Sequence, residues 1–254
     1  MTLIHVFILS FIEGLTEFLP ISSTGHLIIT SAFLKIEPTD FSKAFDVIIQ
    51  FGAIFAVLFL YHDRLKWNFS FYKKVFLAFL PAAFFGFLLK HRIDELLEST
   101  AVAAWALIIG GFILLFIDSV FKKNSDILLT EKNSIFIGFF QCLALIPGVS
   151  RSAATIIGGQ VVGLSREKAA EFSFILAIPT LTAATLYKLW KIRSILDASQ
   201  SLDLGLGIVL SFVFAILAIR FFIKILNKYG LKYFGIYRIV VGAIVLYMNS
   251  KGLL

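Results

Sequence analysis

The sequence predicts an all-α, polytopic integral membrane protein with two inverted-topology repeats, each a re-entrant helix hairpin plus about three transmembrane helices. Of its 254 residues, 59% are hydrophobic, and the mean hydropathy is +0.93. Only 15% are charged, against about a quarter in ordinary soluble domains. Long apolar stretches alternate with short charged ones. The net charge of +7 therefore belongs to loops between membrane spans, and no nucleic-acid partner is expected.

Six stretches are apolar and long enough to cross a bilayer as helices, which takes roughly 20 residues, with shorter spans tolerated. Three lie in the first half of the chain, at about 45–61, 75–89 and 101–117. Three lie in the second half, at about 169–187, 204–223 and 233–249.

Two further apolar regions, 3–34 and 134–163, are interrupted midway by a proline followed by small polar residues. The interruptions read LPISSTGH and IPGVSRSAAT. Proline removes a backbone donor and breaks a helix, and the serines that follow suit the cap of a new helix. Each region is long enough for a pair of spans. We favour a re-entrant helix–break–helix hairpin, because two short apolar arms with a polar tip match that pattern.

The two interruptions are copies of one another. Pro20 and Pro147 are 127 residues apart, and so are Ser23 and Ser150. This offset is half the chain length and indicates an internal duplication. A repeat with one re-entrant hairpin and three spans crosses the membrane an odd number of times, so the two copies must be inverted. The predicted units are a single membrane domain, 1–254, with a first repeat at 1–127 and a second at 128–254.

Loop charges orient the predicted topology. The 62–74 loop has four basic residues, including Lys66, and one acid, whereas the 220–232 segment has four basic residues and none acidic. The 90–99 loop has two basic residues and three acids, including Glu98. The positive-inside rule places the first two in the cytoplasm and the third outside. The hairpins then enter from opposite faces, and their tips meet near the midplane, where inverted-repeat proteins place their sites.

Glu13 and Glu17 lie four residues apart inside the first hairpin, so on a helix they share one face. Carboxylates within hydrocarbon normally face a cavity and mark function. Side by side they repel unless a proton or a cation lies between them. Mg²⁺ is usually held by one or two carboxylates plus substrate phosphates, so we predict a divalent cation, Mg²⁺ or Ca²⁺, on this pair. The alternative is that one Glu is protonated or is bonded to a neighbouring helix.

Hydroxyl side chains follow the first break. Ser22, Ser23 and Thr24 lead into a new helix through Gly25, and free N–H groups at a helix start bind anions. Ser23 and His26 are three residues apart and would project from one side of that helix. They offer a nucleophile and a neighbouring proton carrier. The alternative is a serine cap with small residues for close helix packing.

The second break repeats this design with a fixed cation. Ser150 and Ser152 supply hydroxyls, and the guanidinium of Arg151 has the fork geometry that suits phosphate. Thr155 lies one turn further on. Two helix starts, one arginine and a metal on the Glu pair suit a highly charged anion. Phosphoryl transfer depends mainly on positioning and charge stabilisation, so this set of groups fits cleavage of a phosphoanhydride.

EGLTEFLPISSTGH and PGVSRSAAT together resemble the two signature motifs of the undecaprenyl-diphosphate phosphatase family, the bacitracin-resistance proteins of bacterial membranes. The resemblance covers essentially the whole chain, including its duplication, length and hydropathy. It implies hydrolysis of a C55 lipid diphosphate to the monophosphate carrier of cell-wall synthesis, with a divalent cation. It also implies a multi-pass protein of the cytoplasmic membrane with a site on the outer side. The implied partners are the polyprenyl diphosphate and the bilayer, and a homodimer is left open.

The resemblance also assigns roles by motif position. The candidate catalytic residues are Glu17, Ser23, His26 and Arg151; the candidate diphosphate-binding residues are Ser22, Thr24, Gly25, Ser150, Arg151, Ser152 and Thr155; the candidate metal ligands are Glu13 and Glu17. Ala153 departs from the family pattern, where glycine is expected, and its methyl group is expected to crowd the backbone near the phosphate or tighten the loop. Whether Ser23, His26 or water is the nucleophile stays open.

Two other functional classes share features with this sequence. Acid-phosphatase-like lipid phosphatases need a second histidine downstream of the arginine, and the histidines of this chain all precede Arg151. That class is excluded. An inverted-repeat transporter for phosphate or a lipid phosphate is compatible with the architecture. The combination of Ser23, His26 and the Glu pair favours an enzyme, because binding a translocated anion needs no proton carrier.

Overall fold

The computed structural model describes residues 1–65, 68–97, 99–121 and 127–253, and within these ranges the chain forms twelve α-helices. Lys66 and Glu98, which contribute to the loop charges, lie outside the described residues. The helices are α1 Leu3–Thr16, α2 Ser23–Phe33, α3 Asp40–Ile48, α4 Gln50–Leu60, α5 Phe69–Leu88, α6 Lys90–Leu96, α7 Thr100–Val120, α8 Glu131–Cys142, α9 Arg151–Val161, α10 Arg166–Ile192, α11 Ala198–Tyr229 and α12 Lys232–Ser250. A single 3₁₀ turn, Leu143–Leu145, follows α8.

Within the described residues, six helical segments are long and apolar enough to cross a membrane. They are Asp40–Leu60, formed by α3 and α4 together, Phe69–Leu88, Thr100–Val120, Arg166–Ile192, Ala198–Tyr229 and Lys232–Ser250. Each overlaps one predicted span, so the prediction of an all-α protein with six spans is confirmed. Several helices run beyond the predicted limits, α11 most of all. Hydropathy reports only where side chains are apolar, whereas backbone hydrogen bonding continues into the polar flanks.

The two interrupted regions form pairs of short helices. Helices α1, α2, α8 and α9 have 14, 11, 12 and 11 residues. At 1.5 Å per residue none exceeds about 21 Å, and the hydrocarbon core is about 30 Å thick. The helix lengths thus favour the re-entrant hairpin over full spans, and how each pair enters the membrane stays a prediction. Pro20 lies in the turn between α1 and α2, and Pro147 lies between α8 and α9. The two helices of each pair contact one another.

Proline alone does not end a helix in this protein. Pro81 lies inside α5 and Pro179 inside α10. The two breaks differ because serine side chains follow the proline and cap the next helix. The hydroxyl of Ser22 accepts the N–H of Gly25, and that of Ser150 accepts the N–H of Ala153. A broken helix is stable here because its new start is capped.

Equivalent helices of the two halves of the chain make nearly equivalent packing contacts. Helix α1 packs on α11 as α8 packs on α5, and α4 contacts α11 as α10 contacts α5. Helices α7 and α12, the last of each half, pack on each other. Two copies related by a two-fold axis give this scheme. The repeat boundary and the inverted orientation in a membrane stay predictions.

Ion pairs lie at both ends of the helix bundle. Three join the 62–74 loop, the end of α7 and the starts of α8 and α10: Arg64–Glu171 at 2.8 Å, Lys73–Glu131 at 2.9 Å and Arg166–Asp118 at 2.8 Å. A fourth, Lys188–Asp94 at 3.5 Å, joins the far end of α10 to α6. The segments that the topology places on one side thus pair with each other.

Candidate active site

The two helix breaks contact each other directly. Nη2 of Arg151 lies 2.7 Å from Oε1 of Glu17, 134 residues away in sequence. The hydroxyl of Ser152 donates to the carbonyl of Leu19 at 2.8 Å. A Cβ atom on Gly25 would lie 3.3 Å from the Cα of Gly148, so the two tips approach each other closely. The predicted convergence of the two hairpins is confirmed.

Glu17 is the centre of this contact. One carboxylate oxygen accepts the hydroxyl of Ser23, and the other accepts the guanidinium of Arg151. The side chains of Glu17 and Arg151 are only 5% and 10% exposed, so the pair is nearly shielded from solvent. A serine hydroxyl, a carboxylate and a guanidinium therefore form one bonded chain that spans both hairpins.

His26 has partners other than the predicted one. Its Nδ1 lies 2.7 Å from the carbonyl oxygen of Ser22, and its Nε2 lies 2.8 Å from the hydroxyl of Tyr237. A carbonyl only accepts, so Nδ1 carries the proton and Nε2 accepts from Tyr237. The two rings are parallel within 5°. Ser23, at the start of α2, instead turns back across the break to Glu17, so the expected Ser23–His26 bond is not formed within the described part of the chain.

Arg151 is held from three directions. Besides Glu17, its Nη1 donates to the carbonyl of Ser173 in α10 at 2.9 Å. The guanidinium carbon lies 5.5 Å from the ring centre of Phe18, which is itself fully buried. Its Nε is buried, and among the described residues it has no hydrogen-bond partner. Arg151 is thus fixed in place and still has a donor to offer.

The other hydroxyls of the second break are buried and bonded within the protein. Ser150 and Ser152 lie 2.9 Å apart, and the hydroxyl of Thr155 lies 2.6 Å from that of Ser173. All four are at most 2% exposed. They shape the loop around Arg151. Ala153 is also buried and packs in the hydrophobic core, so its methyl group lies among apolar side chains.

The start of α2 has a strained backbone. Ser22, the N-cap of α2, has a φ of +72°, which lies in the left-handed region that residues other than glycine rarely adopt. Its hydroxyl accepts the N–H of Gly25 at 3.2 Å. Strain of this kind persists where the surrounding structure over-determines it, as functional sites do. It turns the first residues of α2, including Ser23, towards α1.

Glu13 is the buried carboxylate without a partner. It is 0% exposed, and within the described residues neither of its oxygens accepts a hydrogen bond. Glu17 and Asp46 are both close enough to interact with it electrostatically. No group of three or more His, Cys, Asp or Glu is placed to hold a metal in the described part of the chain. The orphaned oxygens of Glu13 nevertheless fit a cation held by two carboxylates and completed by other oxygens, as Mg²⁺ usually is.

A cavity of about 760 Å³ lies beside these groups. Its wall includes Thr24, which adjoins Ser23, and Asp46. It extends to Asp94, Lys188 and Lys191 at the end of the bundle opposite the Arg64–Glu171 pair. Thr24 is thus placed to meet a molecule that enters the cavity, and the wall carries acidic as well as basic side chains, with Lys188 paired to Asp94.

The chain is similar to known proteins. The family described as bacitracin resistance protein BacA matches residues 6–244. The chain belongs to this family. Proteins named undecaprenyl-diphosphatase are similar over nearly their whole length. That of Bdellovibrio bacteriovorus is 51% identical, covering 99% of this chain and 98% of the relative. Those of Flavobacterium psychrophilum and Wolinella succinogenes are 47% and 45% identical, with at least 97% of both chains covered.

In this member of the family, four residues outside the two motifs join the site: Asp46, Ser173, Tyr237 and Arg238. Two of them carried a signal in the sequence. Asp46 and Arg238 are charges within predicted spans, and intramembrane ionisable residues are functional candidates by default. Ser173 and Tyr237 carry no comparable signal, because serine and tyrosine are ordinary residues of membrane helices.

Proposed function

We propose that this chain hydrolyses undecaprenyl diphosphate to undecaprenyl phosphate and inorganic phosphate. This reaction recycles the lipid carrier of bacterial cell-wall synthesis and confers bacitracin resistance. Relatives named undecaprenyl-diphosphatase support the substrate. For this chain itself, the observation that carries the proposal is the bonded set of Ser23, Glu17 and Arg151. It supplies a nucleophile, a proton acceptor and a fixed cation in one buried place.

Ser23 is the nucleophile in this proposal. Its oxygen attacks the terminal phosphorus, while its proton passes to the Glu17 carboxylate, to which the hydroxyl already donates. The Oγ–P bond forms, the P–O bond to the lipid phosphate breaks, and the electron pair leaves with the lipid monophosphate. Water then attacks the phosphoserine: its oxygen bonds to phosphorus, the Oγ–P bond breaks, and Oγ takes back the proton held by Glu17. Inorganic phosphate leaves with the protons of the water. Glu17 replaces His26 as the proposed proton acceptor, because both ring nitrogens of His26 bond elsewhere.

Arg151 neutralises the phosphate oxygens. A guanidinium has five N–H donors, and in Arg151 Glu17 and Ser173 occupy two of them, on Nη2 and Nη1. The buried Nε faces no protein acceptor among the described residues. Arg151 can therefore bind a phosphate oxygen without releasing Glu17, so the group that receives the proton stays aligned while substrate is bound.

Glu13 and Glu17 are the proposed ligands of a divalent cation. When bound, such a cation supplies further charge neutralisation for the diphosphate. Glu13 contributes two carboxylate oxygens that have no protein partner in the described residues, and Glu17 presents its carboxylate one helical turn away. The protein side of the site thus consists of two carboxylates, and phosphate oxygens complete it.

The proposed location is the bacterial cytoplasmic membrane, with the cavity open to the outer side. The cavity wall includes Asp94 and Thr100. Asp94 lies in the 90–99 loop that the positive-inside rule places outside, and Thr100 directly follows that loop. The Arg64, Lys73 and Arg166 ion pairs lie at the other end, which this orientation makes cytoplasmic.

The test is phosphate release from a polyprenyl diphosphate by the purified protein in detergent, with Mg²⁺ or Ca²⁺. Release by the wild type and its loss in Ser23→Ala support the proposal. Ser201→Ala, in an exposed part of α11, is the matched control and is expected to behave as wild type. Absence of release together with phosphate uptake into vesicles would instead identify a carrier. Near-normal turnover by Ser23→Ala would make the serine a binding group.

A further inference from the structure

Arg238 is the largest fully buried side chain described in this protein. It lies in α12, is 1% exposed, and donates from its guanidinium to four backbone carbonyls. The acceptors are Leu107 at 3.2 Å and Ala106 at 2.9 Å, both in α7, Pro20 at 3.2 Å and Gly148 at 3.0 Å. None of the ion pairs seen among the described residues involves Arg238. The side-chain hydrogen bonds of this buried cation thus go to backbone carbonyl oxygens.

Two of these acceptors belong to the two helix breaks. Breaking a helix in a membrane frees carbonyl groups that need new donors. Here one planar guanidinium serves Pro20 in the first break and Gly148 in the second. Because its nitrogen atoms are rigidly spaced, it fixes the separation of the two carbonyls and hence of the two tips.

We propose that Arg238 is a positioning residue for the reaction, an inference that rests on the proposed function. Pro20 is three residues from both Glu17 and Ser23, and Gly148 is three residues from Arg151. The guanidinium therefore sets the distance between the hairpin with the nucleophile and the hairpin with the phosphate-binding cation. It touches no reacting atom and acts through the two breaks.

Gly110 in α7 provides a way to displace this guanidinium without removing its charge. A Cβ atom at Gly110 would lie 2.2 Å from Nη2 of Arg238. Gly242 provides the matched control on the same α7–α12 interface. A Cβ atom there would lie 2.7 Å from the carbonyl of Ala104 and from Ile108, so Gly242→Ala disturbs the same helix packing without a direct clash with the guanidinium.

The experiment compares wild type, Arg238→Lys, Gly110→Ala and Gly242→Ala, all full-length and in detergent. Three quantities are measured: kcat and KM for phosphate release from a polyprenyl diphosphate, the thermal midpoint, and deuterium exchange of peptides that cover 17–25 and 146–153. A misplacement of about 1 Å costs on the order of 10²-fold in rate. We therefore expect Arg238→Lys and Gly110→Ala to lower kcat by about this factor with little change in KM, and to raise exchange in both breaks.

Gly242→Ala is expected to lower the thermal midpoint while keeping near-wild-type kcat and slow exchange in both breaks. If Gly242→Ala has the same thermal midpoint as Gly110→Ala and loses as much kcat, Arg238 has only a general packing role, and the proposal is overturned. Wild-type kcat in Arg238→Lys and Gly110→Ala would overturn it as well. If Arg238→Lys does not fold, the comparison of Gly110→Ala with Gly242→Ala tests the proposal. If the wild type releases no phosphate, the proposed function fails, and the exchange data still test the link between the breaks.

Discussion

Glu17→Gln separates the two roles that the Glu17 carboxylate combines. The carboxylate accepts the hydroxyl of Ser23 on one oxygen and the guanidinium of Arg151 on the other. Glutamine has nearly the same shape, but it carries no charge and only one of its two terminal atoms accepts a hydrogen bond. The variant therefore cannot keep both bonds in their present direction on separate oxygens, and it cannot receive a proton from Ser23.

The expected size of the effect follows from burial and chemistry. With both side chains at most 10% exposed, breaking the ion pair by removing one partner should cost about 3–5 kcal/mol in unfolding free energy. Loss of the proton acceptor should lower kcat by about 10²–10⁴-fold. The double variant Glu17→Gln, Arg151→Met removes both charges. It should recover much of the stability, because no unpaired buried charge is left, and none of the activity.

The assay combines phosphate release with unfolding in mixed detergent micelles for the wild type, both single variants and the double variant. Two results would refute the reasoning. Turnover close to wild type in Glu17→Gln would show that the carboxylate does not take the proton. A double variant less stable than either single variant would show that the two side chains do not form an energetically coupled pair.

The remaining predictions concern the neighbouring groups. Arg151→Lys is expected to lose at least about tenfold in kcat/KM, because an ammonium lacks the bidentate fork; a wild-type value would make Arg151 peripheral. A chelator should abolish activity, and Glu13→Gln should raise the Mg²⁺ concentration needed for half-maximal rate, as a metal titration would show; an unchanged titration would exclude Glu13 as a ligand. Tyr237→Phe removes one hydrogen bond to His26, worth about 1 kcal/mol, so kcat/KM should fall less than tenfold, and Tyr233→Phe on the same helix is the control.

The sequence was sufficient to predict the six spans and the two breaks. The spans are apolar side-chain patterns, and each break combines a proline with hydroxyl residues that cap the next helix. Pro81 has no hydroxyl neighbour, whereas Pro179 is followed by Thr180. The hydroxyl of Thr180 donates to the carbonyl of Leu176 within the same helix and caps no new helix, and both prolines remain helical. The meeting of the tips was also predictable, because the duplication and the loop charges together require the hairpins to enter from opposite faces.

The partners inside the site were harder to predict. Ser23 and His26 share a helix, which suggested a pair, yet the direction of each side chain depends on groups distant in sequence. Ser23 bonds across the break to Glu17, and His26 bonds to Tyr237, 211 residues away. Spacing along one helix identifies which residues share a face, and it does not identify which side chains from other helices meet them.

The bonds of the first break have a consequence for biosynthesis. The carbonyl of Leu19 is satisfied by Ser152, and that of Pro20 by Arg238, 218 residues downstream. Neither donor has been translated when the first hairpin enters the membrane. That hairpin must therefore wait, hydrated or held by the insertion machinery, until the second hairpin and then α12 arrive. The active-site residues of the first hairpin are therefore synthesised first, yet they are among the last to form all of their final hydrogen bonds.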